Sequence, residues 1–482
     1  MHFSIIFRVL GVLLMLFSLT MLIPITVSYI YDDGTQLVFF EAFLTTFICG
    51  GVLWLPFRKA QHELRVRDGF LVTAMFWFVL GVFGALPLYL SDNTGISLTD
   101  AIFESISGLT TTGATVLVGL DLLPEALLFY RQQLQWLGGI GIIVIAVAIL
   151  PMLGIGGMQL YRAETPGPIK DSKLTPRITS TAKWLFMIYL LLTAACSFSY
   201  WLAGMTAFDA ISHGFSTVSI GGFSTHDLSM AYFDNPAILM IAIFFMVVAG
   251  INFALHFYAW RRVTLNVYAE DPELKFYLTM LAVGVVIVVS ALALSGELPF
   301  NEALLHGAFQ VVSIATTTGF ASANFSAWPS FVPFLLMAMA FVGACAGSTG
   351  GGMKVIRALL MVKQGLREIK QIVHPHALIP VKLGSRPVAE RVMSAVWGFI
   401  AVYIVTFITL TLVLMALDLD FVSAYSAAAA SLNNLGPGLG QVAAHYGNIS
   451  DPAKWLLCFA MLLGRLEIFT LLVLFTPLFW RK

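Results

Sequence analysis

Long apolar stretches separated by short polar linkers recur along the whole chain. A stretch of about 20 residues is long enough to cross a hydrocarbon core about 30 Å thick as a helix. The pattern therefore predicts an all-α, polytopic membrane protein. The predicted spans are 5–27, 37–55, 70–90, 125–151, 182–203, 236–260, 276–295, 393–416 and 453–479, with an interrupted span that begins near residue 331.

Four shorter apolar segments, 98–110, 206–218, 301–315 and 420–432, lie between pairs of these spans. A helix of about 13 residues is only about 20 Å long and cannot cross the bilayer. Polar residues near the start of each segment suit a helix that begins close to water: Asp100, Asp209, His306 and Ser423. We therefore expect re-entrant helices that stop at mid-membrane, with a return backbone that is shielded by protein or lines a cavity.

A glycine loop follows each short segment. The loops read LTTTGAT (109–115), VSIGGFS (218–224), ATTTGFA (315–321) and LNNLGPG (432–438), and they align on Gly113, Gly222, Gly319 and Gly436. Similarity that recurs about every hundred residues indicates a repeated architecture. The predicted units are two extra N-terminal spans (1–60) and four repeats (68–155, 180–262, 274–372 and 388–482).

The composition of these loops favours binding of a cation through oxygen atoms. Glycine tolerates positive φ, so successive carbonyl groups can turn toward one axis, and small hydroxylated neighbours add further oxygens. Each short helix also directs the negative end of its dipole toward its loop. Four such loops would form a cage for a dehydrated monovalent cation. The alternative is that Gly-Thr runs only allow close helix packing in lipid.

Composition and charge support the membrane interpretation. Of the 482 residues, 59% are hydrophobic and 11% are charged, against about 25% charged in soluble domains. If the N-terminus is cytoplasmic, most basic linkers lie inside, and only Arg131 and Lys454 lie outside, as short cytoplasmic loops require. The outer loops are rich in acidic residues, which would concentrate cations at the mouth. The alternative is simple exclusion of basic residues during insertion.

The cysteines, the polar residues of the short segments and the other glycine clusters give weaker evidence for a binding site. The four cysteines lie in apolar segments without metal-ligand spacing, so they predict neither a disulfide framework nor a metal site. Among the polar residues of the short segments, His213, His306 and Gln310 are more typical of hydrogen-bonding packing residues than of ligands. The glycine clusters at 138–141 and 154–157 are better explained by helix packing than by dinucleotide binding.

The interrupted span contains the glycine-rich stretch GACAGSTGGGMK, 343–354. Five glycines in ten residues cannot hold a helix when each costs about 1 kcal/mol relative to alanine. The stretch therefore predicts a loop inside the membrane. It lacks the ending of a phosphate-binding loop, because Met353 separates Gly352 from Lys354.

Arg465 lies within the last predicted span. A charge at this depth usually faces a cavity or a partner. The alternatives are a position facing the pore and a structural ion pair between helices. Glu467 follows two positions later.

The four span, short helix, span units and the TTTG, SIGG, TTTG and NNLG loops resemble the Trk/Ktr/HKT superfamily of potassium transporters. The two extra N-terminal spans are typical of its bacterial potassium uptake members. The resemblance implies a pseudo-fourfold arrangement of the repeats around a channel-like pore. It implies that the K+-binding filter consists of Thr110, Thr111, Thr112, Gly113, Ser219, Ile220, Gly221, Gly222, Thr316, Thr317, Thr318, Gly319, Asn433, Asn434, Leu435 and Gly436.

The resemblance also implies a gate below the filter. Its residues are Gly343, Gly347, Ser348, Thr349, Gly350, Gly351 and Gly352, with Arg465 facing the pore as a barrier to cations. Loops two and four depart from the Thr-Gly pattern, which predicts less strict discrimination of K+ from Na+.

The implied function is uptake of K+, with Rb+ and some Na+ as further permeant ions, down the electrochemical gradient across the bacterial inner membrane. Both termini would be cytoplasmic. The implied partners are a second copy of the chain and a cytosolic TrkA-type regulatory subunit that binds NAD(H) or ATP. We expect no cofactor on this chain, no nucleic-acid partner and no enzymatic activity. A K+ symporter coupled to H+ or Na+ is the alternative.

Overall fold

The computed structural model describes residues 2–60, 66–141, 178–384 and 386–481. These parts are helical apart from their loops and one short antiparallel hairpin, in which Lys382–Leu383 pairs with Arg386–Pro387. The helices are α1 Phe3–Thr20, α2 Leu22–Tyr31, α3 Gln36–Trp54, α4 Val66–Gly84, α5 Leu86–Leu90, α6 Leu98–Leu109, α7 Glu125–Trp136, α8 Ile178–Leu202, α9 Ala207–Ser219, α10 Pro236–Ala249, α11 Phe253–Arg262, α12 Asn266–Glu270, α13 Pro272–Ser295, α14 Phe300–Ala315, α15 Phe331–Val342, α16 Val355–Val373, α17 Glu390–Ala416, α18 Phe421–Asn433, α19 Asp451–Arg465, α20 Phe469–Leu472 and α21 Pro477–Trp480.

Within the described residues, six stretches are long and apolar enough to cross a membrane, and eight are when each bent helix pair is taken as one span. Their outward sides carry exposed apolar residues such as Leu294, Val286 and Leu412, as lipid-facing helices do. The described helices confirm the all-helical, multi-pass class. The six stretches are Phe3–Tyr31, Gln36–Phe57, Arg67–Leu90, Lys183–Leu202, Pro272–Ser295 and Glu390–Ala416.

Two predicted spans are bent, which corrects the straight helices expected over 236–260 and 453–479. Helices α10 and α11 meet at 89°, and α19 meets the following helical segment at 110°. At the first bend, the Asn252 side chain accepts a hydrogen bond from the amide of Ala254 and starts a new helix. At the second, Glu467 and Ile468 have left-handed φ values of 54° and 57°, which a continuing helix does not allow.

The span predicted over 125–151 is only partly described. Helix α7 continues into a π-helical turn at Leu137–Gly141, and the remainder of that span, with the glycines at 154–157, lies outside the described residues.

The four short helices α6, α9, α14 and α18 begin and end within one residue of the predicted bounds. Side-chain caps start three of them. Ser97 accepts a hydrogen bond from the amide of Asp100, Thr206 accepts one from the amide of Asp209, and Asp420 accepts one from the amide of Ser423, each at 3.1 Å. Asp100, Asp209 and Ser423 therefore belong to capping motifs that satisfy unpaired helical amides, whereas the His306 ring bonds the Ser322 hydroxyl at 3.0 Å.

The third repeat has the predicted break. Helix α15 ends at Val342, residues 343–354 form a loop, and α16 begins at Val355. We call residues 343–354 the gate loop from here on, after the role that the resemblance implies.

Candidate cation-binding site

The same backbone turn ends all four short helices. The residues two positions before the aligned glycines have left-handed φ values: Thr111 at 54°, Ile220 at 56°, Thr317 at 70° and Asn434 at 53°. The next amide bonds back to the carbonyl five residues earlier, at 2.9 Å for Thr112 to Ser107 and at 2.8 Å in the other three loops. This pattern is the Schellman motif. The four loops therefore begin with the same turn despite their different sequences.

Three of these left-handed residues are β-branched, namely Thr111, Ile220 and Thr317. Glycine normally occupies this position of the motif, and an L-residue in the left-handed region costs about 1–2 kcal/mol. Such a conformation persists only where surrounding contacts enforce it, and such residues cluster at functional sites.

The loops touch one another in sequence order and close into a ring. A methyl group on each aligned glycine would overlap an atom of the next loop. Its carbon would lie 2.1 Å from the Gly221 oxygen at Gly113, 2.0 Å from the Thr318 oxygen at Gly222, 2.7 Å from Pro437 Cδ at Gly319 and 2.5 Å from the Gly113 oxygen at Gly436. Loop one therefore contacts loop two, two contacts three, three contacts four, and four returns to one.

Glycine is required at these positions for two reasons. A methyl group would overlap the neighbouring loop, and Gly113, Gly222 and Gly319 have φ values of 81°, 81° and 86°. Gly436 lacks this left-handed conformation and precedes Pro437, which favours extended backbone in the residue before it. Loop four therefore differs from the others in geometry as well as in sequence.

Hydroxyl pairs stabilise loops one and three in the same way. The Oγ1 atoms of Thr110 and Thr112 lie 2.8 Å apart, and those of Thr316 and Thr318 also lie 2.8 Å apart. In loops two and four the first position is Ser219 or Asn433. The Ser219 hydroxyl donates to the Ser216 carbonyl at 3.3 Å, and the Asn433 amide donates to the Ala429 carbonyl at 2.8 Å.

A side chain nine positions before the aligned glycine braces three of the loops. The Glu104 carboxylate accepts from the Val116 amide at 2.9 Å, the His213 ring bonds the Ser224 hydroxyl at 2.9 Å, and the Gln310 side-chain oxygen accepts from the Ser322 amide at 3.2 Å. In loop four this position is Ala427, and Ser426 accepts from the Leu439 amide at 2.8 Å instead. The predicted packing role of His213 and Gln310 agrees with these contacts.

Side chains from inside and outside the loop motifs also hold the ring. The Gln135 amide donates to the Gly221 oxygen at 2.6 Å, while its own oxygen accepts from the Phe223 amide at 3.1 Å. The Gly221 oxygen therefore already has a donor, and a bound ion would share it with Gln135. Asn434 donates to Thr112 Oγ1 at 3.1 Å, which joins loop four to loop one. Our sequence analysis missed Gln135, although a polar cluster (132–135) within a predicted span was a signal.

The gate loop packs against the ends of three short helices. Thr349 Oγ1 donates to the Val218 carbonyl at 2.9 Å, and the Gly351 amide donates to Thr317 Oγ1 at 2.7 Å. The Gly352 amide donates to the Asn433 carbonyl at 3.0 Å. The gate loop thus contacts repeats two, three and four next to the glycine turns.

The remaining gate residues bond within the gate loop or to its surroundings. The Gly347 carbonyl accepts from the Phe253 amide at 2.9 Å, and the Ser348 hydroxyl donates to the Cys345 carbonyl at 2.6 Å. Buried Lys354 donates to the Gly350 carbonyl. A methyl carbon on Gly343 would lie 2.3 Å from the Gly351 oxygen, so the beginning and the end of the gate loop are in close contact.

Arg465 connects the gate loop to repeat one. It is the last residue of α19 rather than a mid-helix residue. Its guanidinium donates to Thr111 Oγ1 at 3.1 Å, to the Thr349 carbonyl at 3.3 Å and to the Gly139 carbonyl at 2.6 Å, and also to the Gly138 carbonyl. The positive charge therefore lies among oxygen atoms beneath loop one, next to the gate loop.

The chain matches the family model described as TrkH, cation transport protein, over residues 35–482. The chain belongs to the TrkH family. It is 56% identical over 482 residues to the Trk system potassium uptake protein TrkH of Halomonas elongata and 53% identical over 488 residues to that of Escherichia coli K12, with full coverage of each chain. The crystal structure of the potassium transporter TrkH from Vibrio parahaemolyticus has a TM-score of 0.91 and 52% identity, with full coverage of both chains.

Membership of the TrkH family confirms the superfamily predicted from the four loops and places the chain among cation transport proteins rather than enzymes. It also agrees with the multi-pass helical architecture. The roles of individual loop residues remain predictions.

Proposed function

We propose that this TrkH-family chain takes up K+ through a pore whose filter is the ring of four glycine loops. The closed ring, in which each loop contacts the next, is the observation that carries the proposal. Carbonyl oxygens gathered at such a ring can replace the hydration shell of an alkali ion. The relatives' names as potassium uptake proteins support K+ as the ion.

The proposed pore has pseudo-fourfold symmetry, with one span, short helix, span repeat (68–155, 180–262, 274–372 and 388–482) supplying each quarter. The shared turn at Thr111, Ile220, Thr317 and Asn434 supports this equivalence. The different braces and the lack of a left-handed φ at Gly436 make the quarters unequal, so we expect some permeation by Na+ as well as by Rb+.

The proposed gate is the gate loop together with Arg465. Contacts from the gate loop to three short helices, and from Arg465 to Thr111, support a closed arrangement directly below the filter. A guanidinium group at this place would repel a cation leaving the filter. Opening requires the gate loop to leave these contacts.

The proposed setting is the bacterial inner membrane, with both termini cytoplasmic. The excess of basic residues on one set of linkers supports this orientation. We further propose a homodimer and a cytosolic TrkA-type subunit that brings nucleotide control to the pore, since we expect this chain to bind no cofactor.

Flux into proteoliposomes tests the proposal. Purified protein should carry Rb+ and K+ faster than Na+. Gly113→Ala should lose most of the flux, because the methyl group would overlap the Gly221 oxygen. Gly95→Ala is the matched control, because Gly95 also has a left-handed φ (57°), but among the described residues no atom lies within 4 Å of where its methyl carbon would be. Equal flux in the two variants would contradict a filter at the ring.

The same vesicles separate a channel from a symporter coupled to H+ or Na+. For a passive pore, the reversal potential follows the K+ gradient, with a fixed contribution from permeant Na+. A reversal potential that shifts with the H+ gradient at constant K+ would favour coupling.

A further inference from the structure

The gate loop is held from below by a second part of the chain, the segment from the α10–α11 bend to the start of α13. At the bend, the Cys345 amide donates to the Gly250 carbonyl at 3.0 Å, and the Phe253 amide donates to the Gly347 carbonyl at 2.9 Å. Helices α11 and α12 follow, and we call residues 253–271 the linker hairpin. The start of the linker hairpin is therefore bonded directly to the gate loop.

Glu273, the second residue of α13, lies just beyond the far end of the linker hairpin and bonds the gate loop. One carboxylate oxygen, Oε1, accepts from the Ala346 amide at 2.7 Å and from the Ile356 amide at 3.2 Å. These two amides lie on opposite sides of the glycine-rich stretch 347–352. A single oxygen atom thus joins the first part of the gate loop to the first turn of α16.

The surroundings of Glu273 favour a carboxylate that accepts hydrogen bonds from main-chain amides. Its side chain is only 7% exposed, and burial of a carboxylate is costly unless hydrogen bonds compensate. Bonds from amides to an ionised acceptor are stronger than neutral ones. The Asp271 side chain caps α13 through the Leu274 amide at 2.8 Å, which fixes the helical turn that carries Glu273.

We propose that Glu273 is a positioning residue that holds the gate loop in its closed form and couples it to the linker hairpin. Phe253 at one end of the linker hairpin and Glu273, two residues beyond its other end, bond the gate loop and the start of α16, so displacement of the linker hairpin acts on both contacts at once. The inference rests on the proposed function, since it assigns Glu273 a part in gating that pore.

Single-channel recording in planar bilayers tests the inference. Glu273→Gln keeps the volume but replaces the carboxylate acceptor by an amide, which is a weaker acceptor for the two main-chain amides. Weaker bonds to Ala346 and Ile356 should raise the resting open probability about tenfold. Conductance and the K+ to Na+ permeability ratio should stay unchanged, because the filter is untouched. Glu273→Asp, which keeps the carboxylate, should restore part of the closure. Glu270→Gln is the matched control, because Glu270 is an exposed acidic residue on the linker hairpin.

Ile356→Pro provides a second route to the same contact. It removes one amide donor to Glu273 in the first turn of α16, where proline costs no hydrogen bond of the helix itself. We expect a smaller rise in open probability than for Glu273→Gln, and this variant decides the matter if Glu273→Gln does not fold. Wild-type K+ currents with unchanged open probability in folded Glu273→Gln or Ile356→Pro would overturn the inference alone. Wild-type protein that carries no K+ would overturn the proposed function instead.

Discussion

Glu104 and Arg131 form an ion pair in which neither side chain is more than 1% exposed, with an N–O distance of 2.8 Å. The guanidinium also donates to the Ser224 carbonyl and to Thr115 Oγ1, each at 3.1 Å, and lies 4.2 Å from the centre of the Phe223 ring. The pair therefore joins loop one to loop two. Removal of one partner would leave a buried charge uncompensated.

Glu104→Gln should destabilise the protein by about 3–5 kcal/mol, the usual range for a broken buried pair, and should reduce the K+ to Na+ permeability ratio. Thermal unfolding in detergent and bi-ionic reversal potentials measure the two effects. Glu302→Gln is the matched control, because Glu302 is an exposed acidic residue on another short helix. Similar unfolding temperatures for the two variants would show that the ion pair does not stabilise the ring.

His226 introduces a pH dependence at the outer mouth. Partial burial lowers the pKa of His226, but hydrogen bonds and charge from Asp209 and Asp121 outweigh it and raise the pKa above 6.5. The ring nitrogens lie 2.5 Å from Asp121 and 3.4 Å from Asp209. Protonated His226 therefore stabilises the fold below about pH 6.5, and this contribution disappears as the pH rises through the raised pKa.

We therefore expect the unfolding temperature of the wild type to fall, relative to that of His226→Asn, between pH 6 and pH 8.5. Thermal unfolding across this range measures the difference between the two proteins. Parallel curves would contradict a folded-state pKa above that of the unfolded chain.

Part of this detail was available in the sequence. Once the loops are aligned on their glycines, Glu104, His213 and Gln310 occupy one column, which predicts polar residues with a common place in the repeat. Their bonding partners, and the use of Arg131 by two loops, depend on contacts between distant segments. Such contacts leave no trace in a single sequence.

At the scale of elements, the length of the apolar segments and their capping residues were sufficient to predict where the short helices begin and end. They did not predict the bends. The α19 bend depends on Glu467, whose carboxylate pairs with Arg357 of α16 at 2.6 Å, and Arg357 lies 3.9 Å from the centre of the Phe399 ring. The sequence is apolar on both sides of the break. It therefore does not indicate the bend angle, because tertiary contacts set that angle.

Arg465, at the end of α19, combines a positive charge with a planar set of hydrogen-bond donors, and two substitutions distinguish the effects of these two properties. Arg465→Ala removes the charge and its bonds to Thr111 and Thr349, so we expect resting Rb+ flux to rise several-fold. Arg465→Lys keeps the charge but cannot reproduce the planar set of donors, and its flux should lie between those of wild type and alanine. Arg391→Ala, at an exposed position, serves as the control. Unchanged flux in Arg465→Ala would exclude a barrier role.

At the scale of the whole molecule, the account depends on four segments far apart in sequence meeting at one place. The repeat predicted equivalent turns, and the structure adds their cyclic order and the contact between Gly436 and Gly113 that closes the ring. Ring closure could not be derived from the sequence, because the side chains that join neighbouring loops, such as Gln135 and Asn434, lie outside the shared pattern.

Anomalous diffraction from crystals grown in Rb+ can locate the ion relative to the ring. We expect Rb+ peaks on the axis between the four aligned glycines, coordinated by main-chain oxygens from all four loops and absent when Na+ replaces Rb+ at equal concentration. Rb+ bound elsewhere with no peak inside the ring, or a map in which the four loops are separated, would contradict this expectation.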